Sequence, residues 1–360
     1  MQLFYAMAIM LMIASCGTKN SYTIDGTVAS NEMNGKTVYL YNTEDPSAPA
    51  DSTVVAGGKF SFKGTVGEPW IAMVVSEAFQ IQCIVESGTI NVTSEGIGGT
   101  PLNDKLQAFQ SGFSTKDIES QMEEYIPLYY SATNAEERAT AERVLDSLEQ
   151  VGNARMLEAC WSLYHQNGEN LLGVMAMQYI SQLGEFTFSQ FDSIVKSASP
   201  KVAADKVVQT KLGQLKAIEA TSAGKHYTDI QGLNGKLSNL IDGKLALVDF
   251  YASWCGPCRN EIKDYLVPLW KKYKDKGLVI VGLNVWERGD AEARKAAHEK
   301  VMADLGITYP QLVDSTRTAT DTYGVQGIPQ IMLIDKDGTI LARDLRGAAI
   351  EEAIVKALGK

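Results

Sequence analysis

The sequence predicts an α/β fold at the C-terminus, a mixed sheet with helices on both faces, preceded by a small antiparallel β domain and a helical segment. Three observations carry that reading. Residues 21 to about 95 alternate apolar and polar side chains in short runs parted by turn residues. Residues 101 to about 222 carry helical spacing with recognisable starts and stops. Residues beyond 223 alternate apolar strands with helical stretches, the order of a sheet covered on both sides. At 360 residues the chain has room for two or three such units.

In the β region, Tyr22, Ile24 and Val28 alternate with polar neighbours. Asn34-Gly35 is a turn signal before the strand Thr37 to Tyr41, and Gly57-Gly58 parts Val54-Val55 from Phe60-Ser61-Phe62. Further strands are expected at Trp70 to Val75, Gln80 to Val85 and Thr89 to Val92. About seven short strands suggest a sandwich or barrel. In the helical region, Asn134 with Glu137 reads as a capping box, Asn167-Gly168 as a break, and Ser199-Pro200 as a helix start. His165 reads as a surface or boundary residue near a helix end. This region is expected to act as a spacer or cradle, or alternatively as a dimerisation surface.

Ala220 to Gly224 reads as a boundary, followed by β patterns at Tyr227 to Ile230 and Ser238 to Ile241. Leu245 to Ala252 is an apolar strand, Arg259 to Lys276 a helix, and Leu278 to Val285 a buried parallel strand. A helix at Ala291 to Leu305 and a strand at Tyr309 to Val313 follow. Gln330 to Ile334 pairs with Thr339 to Arg343 across Asp337-Gly338, and a helix at Ala348 to Leu358 closes the fold. The expected division is 1–15 leader, 16–98 β domain, 99–222 helical segment and 223–360 C-terminal domain.

Between the first apolar strand of that domain and its helix lies Trp254-Cys255-Gly256-Pro257-Cys258. A strand ending in Cys-x-x-Cys at a helix mouth is a redox device. The free N–H groups and partial positive charge of a helix N-terminus stabilise the first sulfur as thiolate, the attacking species in thiol–disulfide exchange. Half of a zinc site would need two more cysteines or histidines, and His165, His226 and His298 stand near no second cysteine pair. A plain structural disulfide fits the flanking strand, helix and Trp254 less well. Asp249, amid apolar strand residues, is costly to bury without a partner or a task. Its pKa is expected to rise, letting it exchange the proton of Cys258.

The stretch Val248 to Cys258 closely resembles the active-site segment of the thioredoxin superfamily. Val325-Gln326-Gly327-Ile328-Pro329-Gln330 resembles its cis-proline loop, and Leu333 to Gly338 the hairpin after it. The nearest subfamily is the membrane-anchored, extracytoplasmic TlpA/ResA type, and the resemblance covers roughly residues 225 to 360. It implies an exposed nucleophile Cys255, a buried resolving Cys258, Asp249 as the buried acid and Pro329 as the cis-proline. It further implies substrate contacts at Trp254, Gly256, Pro257, Gly327 and Ile328, with Glu261 tuning the site or merely favouring the first helical turn. No metal and no cofactor beyond the Cys255–Cys258 disulfide are implied. Pro268, ten residues after Cys258, departs from the family's usual kink position. The β region resembles a domain of unknown function found before thioredoxin-like domains in Bacteroidetes lipoproteins.

Leu3 to Ala14 is an apolar run of signal-peptide length, and Ile13-Ala14-Ser15-Cys16 resembles a bacterial lipobox, although no Lys or Arg precedes it. Cys16 is thus the expected lipidation site. Gly17 in place of Asp, by analogy with other lipoproteins, favours the outer membrane, and the absence of an acidic cluster favours its periplasmic side. Of five cysteines, Cys83 and Cys160 remain and read as small core residues, a bridge between them being the alternative. A net charge of −10 argues against nucleic acid as partner. The expected partners are protein thiols and disulfides of the envelope, a membrane electron donor that re-reduces the pair, and the lipid anchor; apocytochrome c is a family precedent for the substrate. The expected function is protein-disulfide reduction through a mixed disulfide. Two alternatives stand beside it: a thiol peroxidase of the AhpC/TSA type, and a binding lipoprotein with an auxiliary redox domain.

Overall fold

A computed structural model describes residues 20–28, 31–93, 96–113 and 115–359. The expected leader and Cys16 lie outside the described residues. The chain divides into two compact units, the first ending at Gly184 but taking in Ser199–Val202, the second formed by Glu185–Ala198 and the residues from Ala203 onward.

The first unit opens with eight strands: β1 Ser21–Thr27, β2 Thr37–Asn42, β3 Asp51–Val54, β4 Lys59–Thr65, β5 Trp70–Val75, β6 Gln80–Val85, β7 Gly88–Thr93 and β8 Gly96–Gly98. They form two four-stranded sheets, ordered β4-β1-β7-β8 and β3-β2-β5-β6. All pairings are antiparallel except β1 with β7, which run parallel. The alternation seen in sequence is the burial pattern: Tyr22, Ile24, Phe60, Phe62, Ile90 and Val92 all face the core. Each such side chain contributes roughly 1.5–3 kcal/mol on burial. Gly26 is obligatory on β1, because a Cβ there would stand 1.9 Å from the Phe60 ring that covers it.

Four helices follow: α1 Pro101–Gly112, α2 Lys116–Ser131, α3 Ala135–Asn167 and α4 Leu171–Leu183. Asn103, fully buried, joins α1 to the sheets by accepting from Ile84 N and donating to Ile84 O. At the head of α3, the Asn134 side chain accepts from Glu137 N, as the capping box requires. The reciprocal arm is shifted by one residue: Glu137 accepts from Thr133 N. Helix α3 ends at the expected Asn167, with His165 exposed in its last turn. Cys83 and Cys160 are free and buried, so the alternative bridge is not formed.

In the second unit, α5 Phe188–Ser197 and α7 Lys206–Ala220 pack on each other; the single turn between them in sequence, α6 Pro200–Ala203, falls with the first unit except for Ala203. Ser199 does not cap α6; its hydroxyl donates to Gly168 O. The sequence reading assigns these helices to the spacer ending at 222. Hydrogen bonds hold the end of α7 here, and α5 packs on α7: Arg343 donates to Thr221 O and Tyr323 O, and Gly224 N to Ile340 O.

Two expected β segments change. Tyr227 to Ile230 forms no strand; β9 Gln231–Gly232 and β10 Gly235–Lys236 make a small hairpin just after it. Ser238–Ile241 is a single helical turn, α8, because Asp229 accepts from Ser238 N and Oγ and closes it as a cap. The rest of the unit is β11 Leu245–Tyr251, α9 Gly256–Glu261, a π-turn Ile262–Leu266, α10 Val267–Tyr273, β12 Leu278–Asn284, α11 Ala291–Leu305, β13 Gln311–Val313, α12 Thr318–Tyr323, β14 Gln330–Ile334, β15 Ile340–Ala342 and α13 Ala348–Leu358. The sheet order is β13-β12-β11-β14-β15, with β11, β12 and β13 parallel and the last two pairings antiparallel. The π-turn falls where Pro268 enters. Proline brings no N–H for the carbonyl four residues back, so the helix widens just ahead of it. Among the described residues no helix is long and apolar enough to cross a membrane.

Candidate active site

Strand β11 is buried along its whole length and lies between two apolar cores. Period-two alternation sorts its side chains. Leu245, Leu247 and Tyr251 join the core that holds Cys255 and Cys258, whereas Ala246, Val248 and Phe250 join the opposite one. Asp249 therefore projects to the cysteine side. It is 1% exposed, and both carboxylate oxygens lack a hydrogen-bond partner within the protein.

At the end of β11 the chain turns into α9. Cys255 is its N-cap, with Gly256 and Pro257 as the first two helical residues. Proline is tolerated there because the first-turn N–H groups have no helical acceptor. Cys255 and Cys258 are joined by a disulfide with a Cα–Cα distance of 5.3 Å. The Cys255 Sγ accepts from Cys258 N at 3.2 Å and lies 3.7 Å from Ile328 O. An N–H so placed stabilises negative charge on a sulfur when one is present.

The expectation of an exposed Cys255 needs correction. In this oxidised form its residue is only 4% exposed, while Cys258 is fully buried. The cause is the loop opposite, where Ile328 packs onto the cysteine core and the Ile328–Pro329 peptide is cis. Trp254 is the large exposed side chain of the motif, at 43%. A Cβ at Gly256 or Gly327 would meet nothing within 4 Å, so no neighbour in this chain requires glycine there.

Glu261, at the last position of α9, accepts from Gly347 N at 2.5 Å and so joins the active-site helix to the start of α13. Its neighbour Arg346 donates to Pro329 O. These two side chains frame the electrostatics of Asp249. Burial pushes the Asp249 carboxyl up to about 8; the Arg346 guanidinium opposes the rise and the Glu261 carboxylate adds to it. A carboxyl so placed can take and return a proton near neutral pH.

Register explains what lies beside Asp249. Asp249 pairs with Gly282 on β12, and Gly282 pairs with Gln311 on β13. Gly282 leaves room for the Gln311 side chain: a Cβ there would be 2.5 Å from Gln311 Oε1. Gln311 accepts from the Tyr251 hydroxyl at 2.7 Å, with His298 at 3.4 Å. The Tyr309 hydroxyl, in the same core, is buried without a partner.

Sequence reasoning misses the loop after β12. Glu287 accepts from Ser253 N at 2.6 Å, from Ser253 Oγ at 2.7 Å and from Asn284 Nδ2 at 2.8 Å. Trp254 Nε1 donates to Trp286 O at 2.9 Å. The turn that leads into Cys255 is thus tied to the loop after β12 at three points, and Asn284 holds the same Glu287 carboxylate from within that loop. The only sequence signal for this clamp is a polar Asn284 ending an otherwise apolar strand. No cluster of metal-binding side chains occurs among the described residues.

Residues 216–343 match the model of the AhpC/TSA family, and residues 22–106 that of a domain of unknown function, DUF4369. Thiol-disulfide oxidoreductase ResA of Bacillus thuringiensis (strain Al Hakam) is 34% identical over 114 residues, 32% of this chain and 61% of the relative. ResA of Bacillus thuringiensis subsp. konkukian (strain 97-27) is 31% identical over 133 residues, 37% of this chain and 72% of the relative. The chain therefore spans 61% of the length of the first of these relatives and 72% of the second. Among solved structures, the thioredoxin domain of a thiol-disulfide oxidoreductase from Bacteroides vulgatus is 30% identical, covering 38% of this chain and 96% of that one, with a TM-score of 0.32. An identity of 31% sustained over 72% of a relative's length means that the chain belongs to the ResA-like thiol-disulfide oxidoreductases of the thioredoxin superfamily.

Proposed function

We propose that the protein reduces protein disulfides by thiol–disulfide exchange at Cys255 and Cys258. The observation that carries this reading is the placement of the Cys255 sulfur. It caps a helix, accepts the Cys258 N–H and lies beside the Ile328 carbonyl, with an unpartnered buried carboxyl on the same side of β11.

In the reduced protein the Cys255 thiolate attacks one sulfur of the substrate disulfide. That S–S bond breaks as a new one forms to Cys255, and the departing substrate thiolate takes a proton. Asp249 then accepts the proton of Cys258. The Cys258 thiolate attacks Cys255, which closes the Cys255–Cys258 bond and releases the second substrate sulfur as a thiol. Two electrons pass from the protein dithiol to the substrate. A dithiol donor must return them before the next turnover, and in the cell we assign that part to a membrane partner.

Ile328, ahead of Pro329, offers its backbone to an extended substrate segment, and Trp254 with Gly256, Pro257 and Gly327 borders the path. Glu261 acts on Asp249 rather than on the helix start alone. The lipobox-like segment supports anchoring through Cys16, with the domain working in the envelope on the periplasmic side of the outer membrane. Apocytochrome c remains the family precedent for a substrate.

The AhpC/TSA description of the matching family model supports thiol peroxidase as a second reading. The tight Cys255–Cys258 pair weighs against it, since peroxide reduction needs only one attacking sulfur. Rapid peroxide consumption by Cys255 in a Cys258→Ser variant would favour it. The test of the main reading uses the same variant. Cys258→Ser should accumulate mixed disulfides with envelope proteins through Cys255, absent in the double variant with Cys255→Ser. Failure to form any thiol-sensitive adduct would count against exchange.

A further inference from the structure

The loop after β12 presents a feature that the exchange chemistry does not use. Trp286 has φ of 55°, in the left-handed region that bulky side chains rarely enter. That conformation accompanies two contacts: the Trp286 carbonyl accepts from the Trp254 indole, and the next residue, Glu287, turns back to hold Ser253. The strained turn thereby ties the Trp254 indole, adjacent to Cys255 in sequence, to the Trp286 backbone, while the Trp286 indole donates to Thr320 Oγ1 on α12, and a guanidinium stands over each ring. Arg288 stands 4.2 Å from the Trp254 ring centroid, and Arg317, itself at φ of 72°, stands 5.4 Å from that of Trp286.

Both arginines are exposed, and neither forms an ion pair among the described residues. The carboxylates nearest in sequence are engaged elsewhere. Glu287 faces inward onto Ser253 and Asn284, Asp290 caps α11, and Asp314 accepts from Thr316 N and Ala319 N. Asp321, one turn along α12, makes no ion pair with Arg317 among the described residues. In a chain of net charge −10, two guanidinium groups without an ion pair, one over the ring of Trp254 beside Cys255 in sequence and one over the Trp286 ring bonded to it through its carbonyl, form a local positive face. Arginine suits that position, since its planar head stacks on a ring and still offers N–H donors at its edge.

We infer that Arg288 and Arg317 form a reading surface that selects substrate disulfides flanked by acidic side chains. The inference rests on the exchange reading above and adds the class of substrate. Carboxylates beside the substrate cysteines meet the two guanidinium edges as the substrate segment lies along Ile328. Lysines in those places meet like charge. Complementarity of this kind acts mainly on association, and salt weakens it.

The test uses the full chain, reduced with dithiothreitol and desalted, in single turnover. The substrates are three synthetic peptides with the same disulfide ring, flanked by aspartates, serines or lysines, and the released peptide thiols are separated and counted. At low ionic strength the aspartate peptide should react about tenfold faster than the lysine peptide, with the serine peptide between them. The order should flatten in about 0.5 M salt. Arg288→Glu with Arg317→Glu should invert it, and Arg288→Lys with Arg317→Lys should keep it. Equal rates for the three peptides overturn the inference and leave the exchange reading standing. An order that persists unchanged in the double glutamate variant also overturns it. A wild-type protein that reduces none of the peptides overturns the exchange reading itself.

Discussion

Replacing Asp249 with asparagine should make the stability of the C-terminal unit much less dependent on pH. The carboxyl is 1% exposed and unpartnered, and burial pushes its pKa from the ordinary 3.8 to about 8. Between those values the folded protein keeps a proton that the unfolded chain has released. Stability is therefore full below pH 4, falls as pH rises through the window, and levels off above about 8. At about 1.4 kcal/mol for each pH unit, the loss reaches on the order of 4 kcal/mol by pH 7. Asparagine has the same shape and no charge to bury. Its amide inherits the cost of an unpaired polar group, about 1–3 kcal/mol, that the protonated acid already bears. Asp249→Asn should thus match the wild type near pH 4 and exceed it by several kcal/mol at pH 8. The assay is urea unfolding of both oxidised proteins at pH 5, 6, 7 and 8, followed by tryptophan fluorescence. Trp70→Phe and Trp161→Phe confine the signal to Trp254, Trp270 and Trp286 in the second unit. A gap between the two proteins that stays constant from pH 5 to pH 8 would refute the reasoning. It would mean that Asp249 is ionised in the fold and has a partner.

Two further variants probe the surroundings. Glu287→Ala leaves Ser253 N and Asn284 Nδ2 without their acceptor, and Asn284 is 1% exposed. It should cost about 1–3 kcal/mol in urea unfolding and slow exchange at Cys255, whereas Glu287→Gln should recover part of both. An unchanged midpoint and rate would show that the clamp does not position the motif. Tyr309→Phe removes a buried hydroxyl that has no partner within the protein, so the thermal midpoint should hold or rise by a few degrees. A fall of several degrees would reveal a bond that this account omits.

The redox domain is legible in sequence where burial is uniform. Strand β11 carries an almost unbroken apolar run because both its faces are covered, and a lone aspartate in such a run stands out. The Cys-Gly-Pro-Cys turn is legible because only a helix N-terminus accommodates Pro257 at that point. Ser238 to Ile241 misleads because its alternation is too short to separate a strand from one helical turn, and the Asp229 cap decides the matter. The extent of the second unit is hidden for another reason. Helix α7 belongs there through Arg343, a contact across 122 residues that no local pattern encodes. The parallel pairing of β1 with β7 is likewise a long-range choice. In the site, the acid and the cysteines announce themselves by type and spacing, and Pro329 by the resemblance of its loop to that of the thioredoxin superfamily. Glu287, Trp286 and Arg288 do not, because a polar loop after a strand reads as solvated surface until its bonds are seen. The exposure of Cys255 is misjudged for the same reason: the loop that covers it arrives from more than 70 residues away.

The measurement that bears most directly on the account is stoichiometric reduction of insulin by the pre-reduced full chain, with wild type, Cys255→Ser and Cys258→Ser compared. One insulin disulfide should open for each Cys255–Cys258 bond formed in the wild type. Cys258→Ser should stop at a mixed disulfide on Cys255, and Cys255→Ser should open none. Insulin reduction retained in Cys255→Ser would contradict the assignment of Cys255 as the attacking sulfur.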